Sequence, residues 1–256
     1  MNRGTKLKKV FSNLIILISL CFFVFFAYKI YSYKQEENKQ KQLNNNIIQL
    51  AVKNIETDNQ KENNNLEGNM LPIEIDFKSL KNTNKDIIAW IYSEGTPINY
   101  PIVQSTDNDY YLRRLINGTY NQAGTIFLDC RNSSNFEDYN SIIYGHNMKN
   151  DSMFGTISNY KDQEYFDLHR EMFLITEGKS FKIELFAGYI TSSESDIYIF
   201  PKTSSSNEKL INTAIQNSTF KSNVTVNKED RIITLSTCSY NFENARYILL
   251  GVLKEM

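Results

Sequence analysis

Apolar and polar positions divide the chain into three stretches of different character. From Val10 to about Tyr28 the residues are apolar except for Ser12, Asn13 and Ser19, and about 20 such residues suffice to span a bilayer as a helix. From Lys34 to Asn69 the composition turns to Asn, Gln, Lys and Glu. Apart from an amphipathic turn at Ile47 to Val52, such a stretch lacks the apolar surface to offset the entropy of ordering it. From Leu71 onward short apolar runs recur at close spacing, at Ile87–Ile91, Pro97–Gln104, Gly124–Leu128 and Ser141–His146. They continue at Met172–Thr176 and Phe181–Ile190, which flank a Glu177-Gly178-Lys179 turn, and end with Arg231–Cys238 and Tyr247–Leu253. Each predicts a strand. Helical signals are confined to short segments: Asp107–Leu115, with a capping residue before an apolar seam, Met153–Tyr165, which reads as part helix and part loop, and Asn207–Gln216, which has helical periodicity. About eight short strands with brief helices between them predict a mainly β domain, closed as a barrel or a sandwich.

Charge orders these stretches. Arg3, Lys6, Lys8 and Lys9 precede the apolar run, and no small-residue cleavage site follows it, which favours an uncleaved signal anchor over a removed signal peptide. The positive-inside rule then predicts a cytoplasmic tail at 1–9, a transmembrane anchor at 10–30, a polar stalk at 31–70 and a globular domain at 71–256 outside the membrane. The formal net charge of −1 gives no electrostatic case for nucleic acid as a partner. Three cysteines, Cys21, Cys130 and Cys238, lie far apart without metal-binding spacing, and the acidic residues form no oxygen-ligand loop. No metal or other cofactor is expected.

The segment Arg231–Cys238 carries the chemistry. Strand side chains alternate, so Thr234, Ser236 and Cys238 share one face while Ile233, Leu235 and Thr237 share the other. A thiol therefore stands at a strand exit. Antiparallel pairing with Tyr247–Leu253 across the polar residues 239–245 brings Arg246 back beside Cys238, where a cation lowers a thiol pKa and can stabilise an oxyanion. A nucleophilic cysteine also needs a proton carrier supplied by the fold. Only His146 and His169 are available; His146 ends a predicted strand before a polar loop, whereas His169 lies in the charged stretch Asp167-Leu168-His169-Arg170. His146 is the preferred partner. Cys130 is expected to be a half-buried strand-end thiol, and Cys21 a packing residue of the anchor.

Thr234-Leu235-Ser236-Thr237-Cys238, with Tyr144-Gly145-His146 upstream and Arg246 downstream, resembles the His, Cys and Arg constellation of sortases, membrane-anchored cysteine transpeptidases of Gram-positive bacteria. Asn99–Gln104 and Asn108–Leu112 are similar to the early segment of class B. The resemblance covers roughly Ile87 to Leu253. It implies an eight-stranded sortase-type β-barrel with N-terminal helices and a helix between strands six and seven. It also implies a catalytic set of Cys238, His146 and Arg246, and a substrate groove lined by Ser236, Tyr144, Asn108, Leu112, Tyr198 and Ile199. The implied reaction cleaves a C-terminal sorting signal after threonine through a Cys238 thioester and passes the protein to the cross-bridge amine of a peptidoglycan precursor. The implied partners are surface proteins bearing that signal, the cell-wall precursor and the cell membrane. Two other readings of the residues stay open: a secreted cysteine peptidase whose thioester is resolved by water, and a non-catalytic, membrane-tethered domain that binds cell wall.

Overall fold

The computed structural model describes residues 3–54 and 71–256, with side chains at 8–53 and 71–256. It divides into a unit ending at Leu43 and a second from Asn44 to Met256. Helix α1, Arg3–Ala51, fills the first unit and continues into the second. Its apolar side chains from Val10 to Tyr31 are exposed, and it is long and apolar enough to cross a membrane. The sequence leads to a stalk without regular structure after residue 33; instead the helix continues through the polar stretch to Ala51. Lys, Gln and Glu are good helix formers, and adding residues to a helix already nucleated costs little. At its end Ile47 and Ala51 are buried, and strand β1, Val52–Asn54, pairs antiparallel with β2, Ile73–Ile75. The remainder of the expected stalk lies outside the described residues.

A short helix α2, Phe77–Thr83, follows, capped by Asp76, whose side chain accepts from Ser79 N at 3.0 Å. Eight strands then build the barrel: β3 (Ile87–Tyr92), β4 (Asn99–Val103), β5 (Phe127–Leu128), β6 (Asn140–Tyr144), β7 (Glu171–Thr176), β8 (Ser180–Ser192), β9 (Ile232–Cys238) and β10 (Ala245–Glu255). Around the closed barrel they run β10-β8-β7-β3-β4-β5-β6-β9. Closure leaves no unpaired edge, which selects the barrel over the sandwich. Most neighbours are antiparallel, but β4 with β5 and β6 with β9 are parallel. Alternate residues such as Ile91, Ile102, Leu128, Ile143, Leu174, Ile183, Leu235 and Leu249 fill the interior.

Two helices flank the barrel after β6: α3, Gln163–Leu168, and α4, Ser204–Asn217, between the sixth and seventh barrel strands. Thr203 and Ser206 form a reciprocal capping box at the start of α4. Its Leu210, Ile211 and Ala214 belong to a second apolar cluster with Ala187, Tyr189, Ile248 and Leu250, the outward-facing residues of β8 and β10. The helix predicted over Asp107–Leu115 reduces to one 3-10 turn at Tyr111–Arg113. Asp107 does not cap it: its side chain accepts from Asp109 N at 2.9 Å and Tyr110 N at 2.7 Å, closing a separate turn ahead of the 3-10 segment, whose own N-cap is Tyr110. The helix stops there because Tyr111 O accepts from Thr125 N and Arg113 O from Asn121 N, so those carbonyls are taken by a neighbouring loop rather than by a following helical turn.

Candidate active site

Strand β9 lies between β6 and β10, and both neighbours bring a functional side chain to its exit. Ile233 and Leu235 point into the barrel core, which leaves Thr234, Ser236 and Cys238 on the outer face. On the parallel side Tyr144 is the register partner of Ser236, so two residues further along each strand His146 and Cys238 leave the barrel at the same end. Three hydrogen bonds lock these exits together. Gly145 N donates to Ser236 O at 3.1 Å, Thr237 Oγ1 to Gly145 O at 2.8 Å and Asn147 Nδ2 to Cys238 O at 2.8 Å. On the antiparallel side Arg246 is paired in register with Cys238. The intervening turn is held by Ser239 N donating to Ala245 O at 2.9 Å and by Asn244 at φ 58°, a left-handed conformation that asparagine tolerates.

Cys238, His146 and Arg246 line one groove of about 340 Å³. Asn108, Leu112, Tyr144, Tyr198 and Ser236, all named from the sequence, line the same groove. Ile199 does not: it is exposed, following the 3-10 turn Asp196–Tyr198, and lines a neighbouring cavity of about 240 Å³ against α4. His169 is also elsewhere, its Nδ1 donating to Tyr165 O at 2.9 Å and its ring tilted 4.4 Å from that of Tyr165. All three cysteines are free thiols. Among the described residues no cluster of three His, Cys, Asp or Glu could hold a metal ion.

Beneath the groove runs a polar network that the sequence did not single out. Asp129 is fully buried and takes Arg131 in a two-pronged pair, Nε to Oδ1 at 2.9 Å and the terminal nitrogen to Oδ2 at 2.8 Å. Tyr144 Oη donates to the same carboxylate at 2.9 Å. Burial alone would raise the Asp129 pKa, but the bonds from Arg131 and Tyr144 outweigh it and hold the carboxyl below its usual range. The Tyr144 ring stacks on Tyr198 with centroids 6.3 Å apart, and the Tyr198 hydroxyl lies 2.8 Å from Ser236 Oγ. Arg131 also covers Phe200 at 4.5 Å. The available signal was an acid and a base two residues apart, Asp129 and Arg131, just beyond a strand; the fold puts Arg131 in the groove lining and buries Asp129 behind it, bonded to Tyr144.

His146 is half-buried, and its Nε2 lies 2.7 Å from Leu112 O. A carbonyl can only accept, so Nε2 carries the proton of that bond. Burial lowers the His146 pKa; the Leu112 bond opposes the shift, and the charges of Arg113 and Arg246 reinforce it. Arg246 donates through one terminal nitrogen to Ala245 O at 3.0 Å, forms no ion pair with a carboxylate among the described residues, and lines the groove. Asn108 Oδ1 accepts from Cys130 N at 2.8 Å, so its Nδ2 remains as a donor. The groove thus offers a thiol, an imidazole, a guanidinium without a carboxylate partner and an amide donor, the parts of a site for acyl transfer through cysteine.

Known proteins resemble this chain in sequence and fold. Residues 91–254 match the family model described as the Sortase domain. A sortase B of Listeria monocytogenes is 39% identical over 184 residues, covering 70% of this chain and 74% of that protein. The crystal structure of Clostridium perfringens sortase B superposes with a TM-score of 0.66 at 38% identity, over 70% of this chain and all of that one. That of sortase B from Bacillus anthracis gives 0.72 at 30% identity, over 87% and 99% of the two chains.

Proposed function

The chain belongs to the sortase family of cysteine transpeptidases, and from that premise we propose that Cys238, His146 and Arg246 carry a two-step transfer of surface proteins to the cell wall. The supporting observation is the position of Cys238 in β9, with the exit of His146 on one side and Arg246 in register on the other. In the first step the Cys238 sulfur attacks the carbonyl carbon of a threonine in a C-terminal sorting signal. The electron pair moves onto the oxygen, and the Arg246 guanidinium stabilises that oxyanion with charge and donors that are never lost at working pH. Collapse breaks the C–N bond, His146 delivers to the departing amine the proton taken from the thiol, and a thioester remains. In the second step the cross-bridge amine of a peptidoglycan precursor attacks the thioester. His146 takes its proton, an amide forms, and the thiol is restored.

Ser236, Tyr144, Asn108, Leu112 and Tyr198 hold the sorting signal. Asn108 Nδ2 is the free donor for a peptide carbonyl, while the stacked tyrosines supply apolar walls. The basic N-terminal tail stays in the cytoplasm, α1 anchors the chain, and the barrel faces the cell wall.

The test uses Cys238→Ala and the native protein with a fluorogenic sorting peptide and a peptidyl amine. Native protein is expected to give ligated product, and the variant neither thioester nor cleavage. Cleavage by Cys238→Ala would refute the assignment of the nucleophile. Cleavage without ligation by the native protein would instead assign a peptidase.

A further inference from the structure

The loop between β4 and β5 supplies the bond that orients His146. Every backbone carbonyl from Tyr111 to Arg114 is occupied: Tyr111 O by Thr125 N at 3.0 Å, Arg113 O by Asn121 N at 3.1 Å, Arg114 O by Thr125 Oγ1 at 2.8 Å and Leu112 O by His146 Nε2 at 2.7 Å. Three of these bonds tie the loop to itself, and the fourth is its only link of this kind to the proton carrier. The Tyr111 side chain pins the turn from below, donating to Asp86 Oδ2 at 2.6 Å and accepting from Asn84 Nδ2 at 2.8 Å.

Gly124 packs directly against the carbonyls of this turn. It adopts φ +60°, and a Cβ there would stand 2.6 Å from Leu112 O and 2.7 Å from Tyr111 O. Both neighbours are backbone atoms, so no side-chain rotation relieves the clash; the turn itself must move. We propose that Gly124 is a positioning residue of the transferase, whose missing side chain lets the Leu112 carbonyl reach His146 Nε2, fixing the imidazole in its Nε2–H form and leaving Nδ1 as the nitrogen that exchanges protons. The arrangement replaces with a main-chain carbonyl the carboxylate that orients histidine in many nucleophilic sites. The inference rests on the reading of His146 as the proton carrier, and the experiment separates the two.

The chain has two histidines, and their bonds predict opposite forms, Nε2–H for His146 and Nδ1–H for His169. Full-length protein in detergent, with ring-labelled ¹⁵N histidine and assignments from His169→Gln, reads both directly above the histidine pKa. Nε2–H at His146 is expected; Nδ1–H there overturns the proposal without recourse to any variant. Gly124→Ala is then compared with Gly118→Ala. Gly118 also has a positive φ, +80°, but its added Cβ would meet only Tyr110 Oη at 3.6 Å, so it controls for backbone strain. Gly124→Ala is expected to lower kcat on the order of 100-fold, the scale for a catalytic group displaced by about 1 Å. KM for the sorting peptide should rise far less than kcat falls, because Leu112 on the same turn also lines the groove, and the His146 signals should show a mixture of tautomers. Gly118→Ala should keep the native spectrum and kcat. A folded Gly124→Ala protein with native tautomer and kcat, or an equal loss in Gly118→Ala, overturns the proposal. Should Gly124→Ala not fold, the native spectrum still decides. Full activity in His146→Ala would instead remove the underlying reading, whatever the tautomer.

Discussion

Tyr144 donates its phenolic proton to Asp129 at 2.9 Å, so a wall of the groove is fastened to a buried anion. Because Arg131 grips the same carboxylate, Asp129→Asn weakens both supports while preserving shape. Removing one member of a buried pair costs about 3–5 kcal/mol. The Arg131 side chain is 54% exposed and rehydrates, so about 1–3 kcal/mol is expected, measured by chemical denaturation. The depressed carboxyl pKa stabilises the fold above the unfolded value near 4 and is lost as pH falls through the lower folded value. Acid denaturation of the native protein should therefore steepen below about pH 4, and the variant should lose part of that dependence.

The bond between Tyr198 and Ser236 gives a second expectation. Ser236 is buried at 2% exposure, so Tyr198→Phe leaves its hydroxyl without that partner, and Ser236→Ala does the same to the phenol. Each single change should raise KM for the sorting peptide more than it lowers kcat. The double variant should lose less than the sum, with a coupling of about 0.5–3 kcal/mol as for residues in contact. Strict additivity in the cycle would show that the bond does not shape the groove.

A pH profile follows from His146. Burial, with Arg113 and Arg246, holds its pKa below the ordinary 6.5. The imidazole thus enters the reaction neutral, and activity falls only as protonation sets in at lower pH. The acid limb of kcat/KM should lie below 6.5. Stability has the same sign, since a base with a depressed folded pKa favours the fold above 6.5 and weakens it as pH falls through the folded value. Arg113 is exposed, and Arg113→Gln should move the limb to higher pH; an unmoved limb would assign it to another group.

Thr234 tests stability without chemistry. Its Oγ1 donates to Asn140 Oδ1 at 2.7 Å, and both residues are fully buried. Thr234→Val keeps the shape and strands an amide oxygen, at a cost of about 1–3 kcal/mol. In a domain of this size that lowers Tm by about 2–4 °C per kcal/mol. The kcat of the folded variant should be native.

The strands and their faces were legible from alternation, as in Ile233 and Leu235 inward against Ser236 and Cys238 outward. The hairpin that returns Arg246 was legible because its partners are close in sequence. The parallel contact of β6 with β9 was not, since no local pattern specifies a pairing across about ninety residues; His146 was matched to Cys238 by its place at a strand end before a polar loop and by the motif resemblance, without the pairing itself being visible. Asp129 and Arg131 escaped notice because a charged pair after a strand resembles any solvated turn until burial is known. Ile199 was grouped with its sequence neighbour Tyr198, but the chain leaves the 3-10 turn at Tyr198 and the two residues line different cavities. The helical stretch up to Ala51 was underestimated because polar composition was weighed above the propagation of a helix already begun.

The parallel joining of β6 and β9 also sets when the protein becomes chemically competent. Thr237 and Gly145 are 92 residues apart, and the strand that completes the barrel, β10, ends at Glu255. Contacts of such long range close late, after the entropy of the intervening loop has been overcome. During synthesis the thiol, the imidazole and the guanidinium remain separate groups on an open chain until β10 has emerged to complete the barrel. A polypeptide arrested before β10 carries its cysteine and histidine but lacks Arg246 and the closing strand, so the order of the strands along the chain withholds the assembled site until β10 is in place.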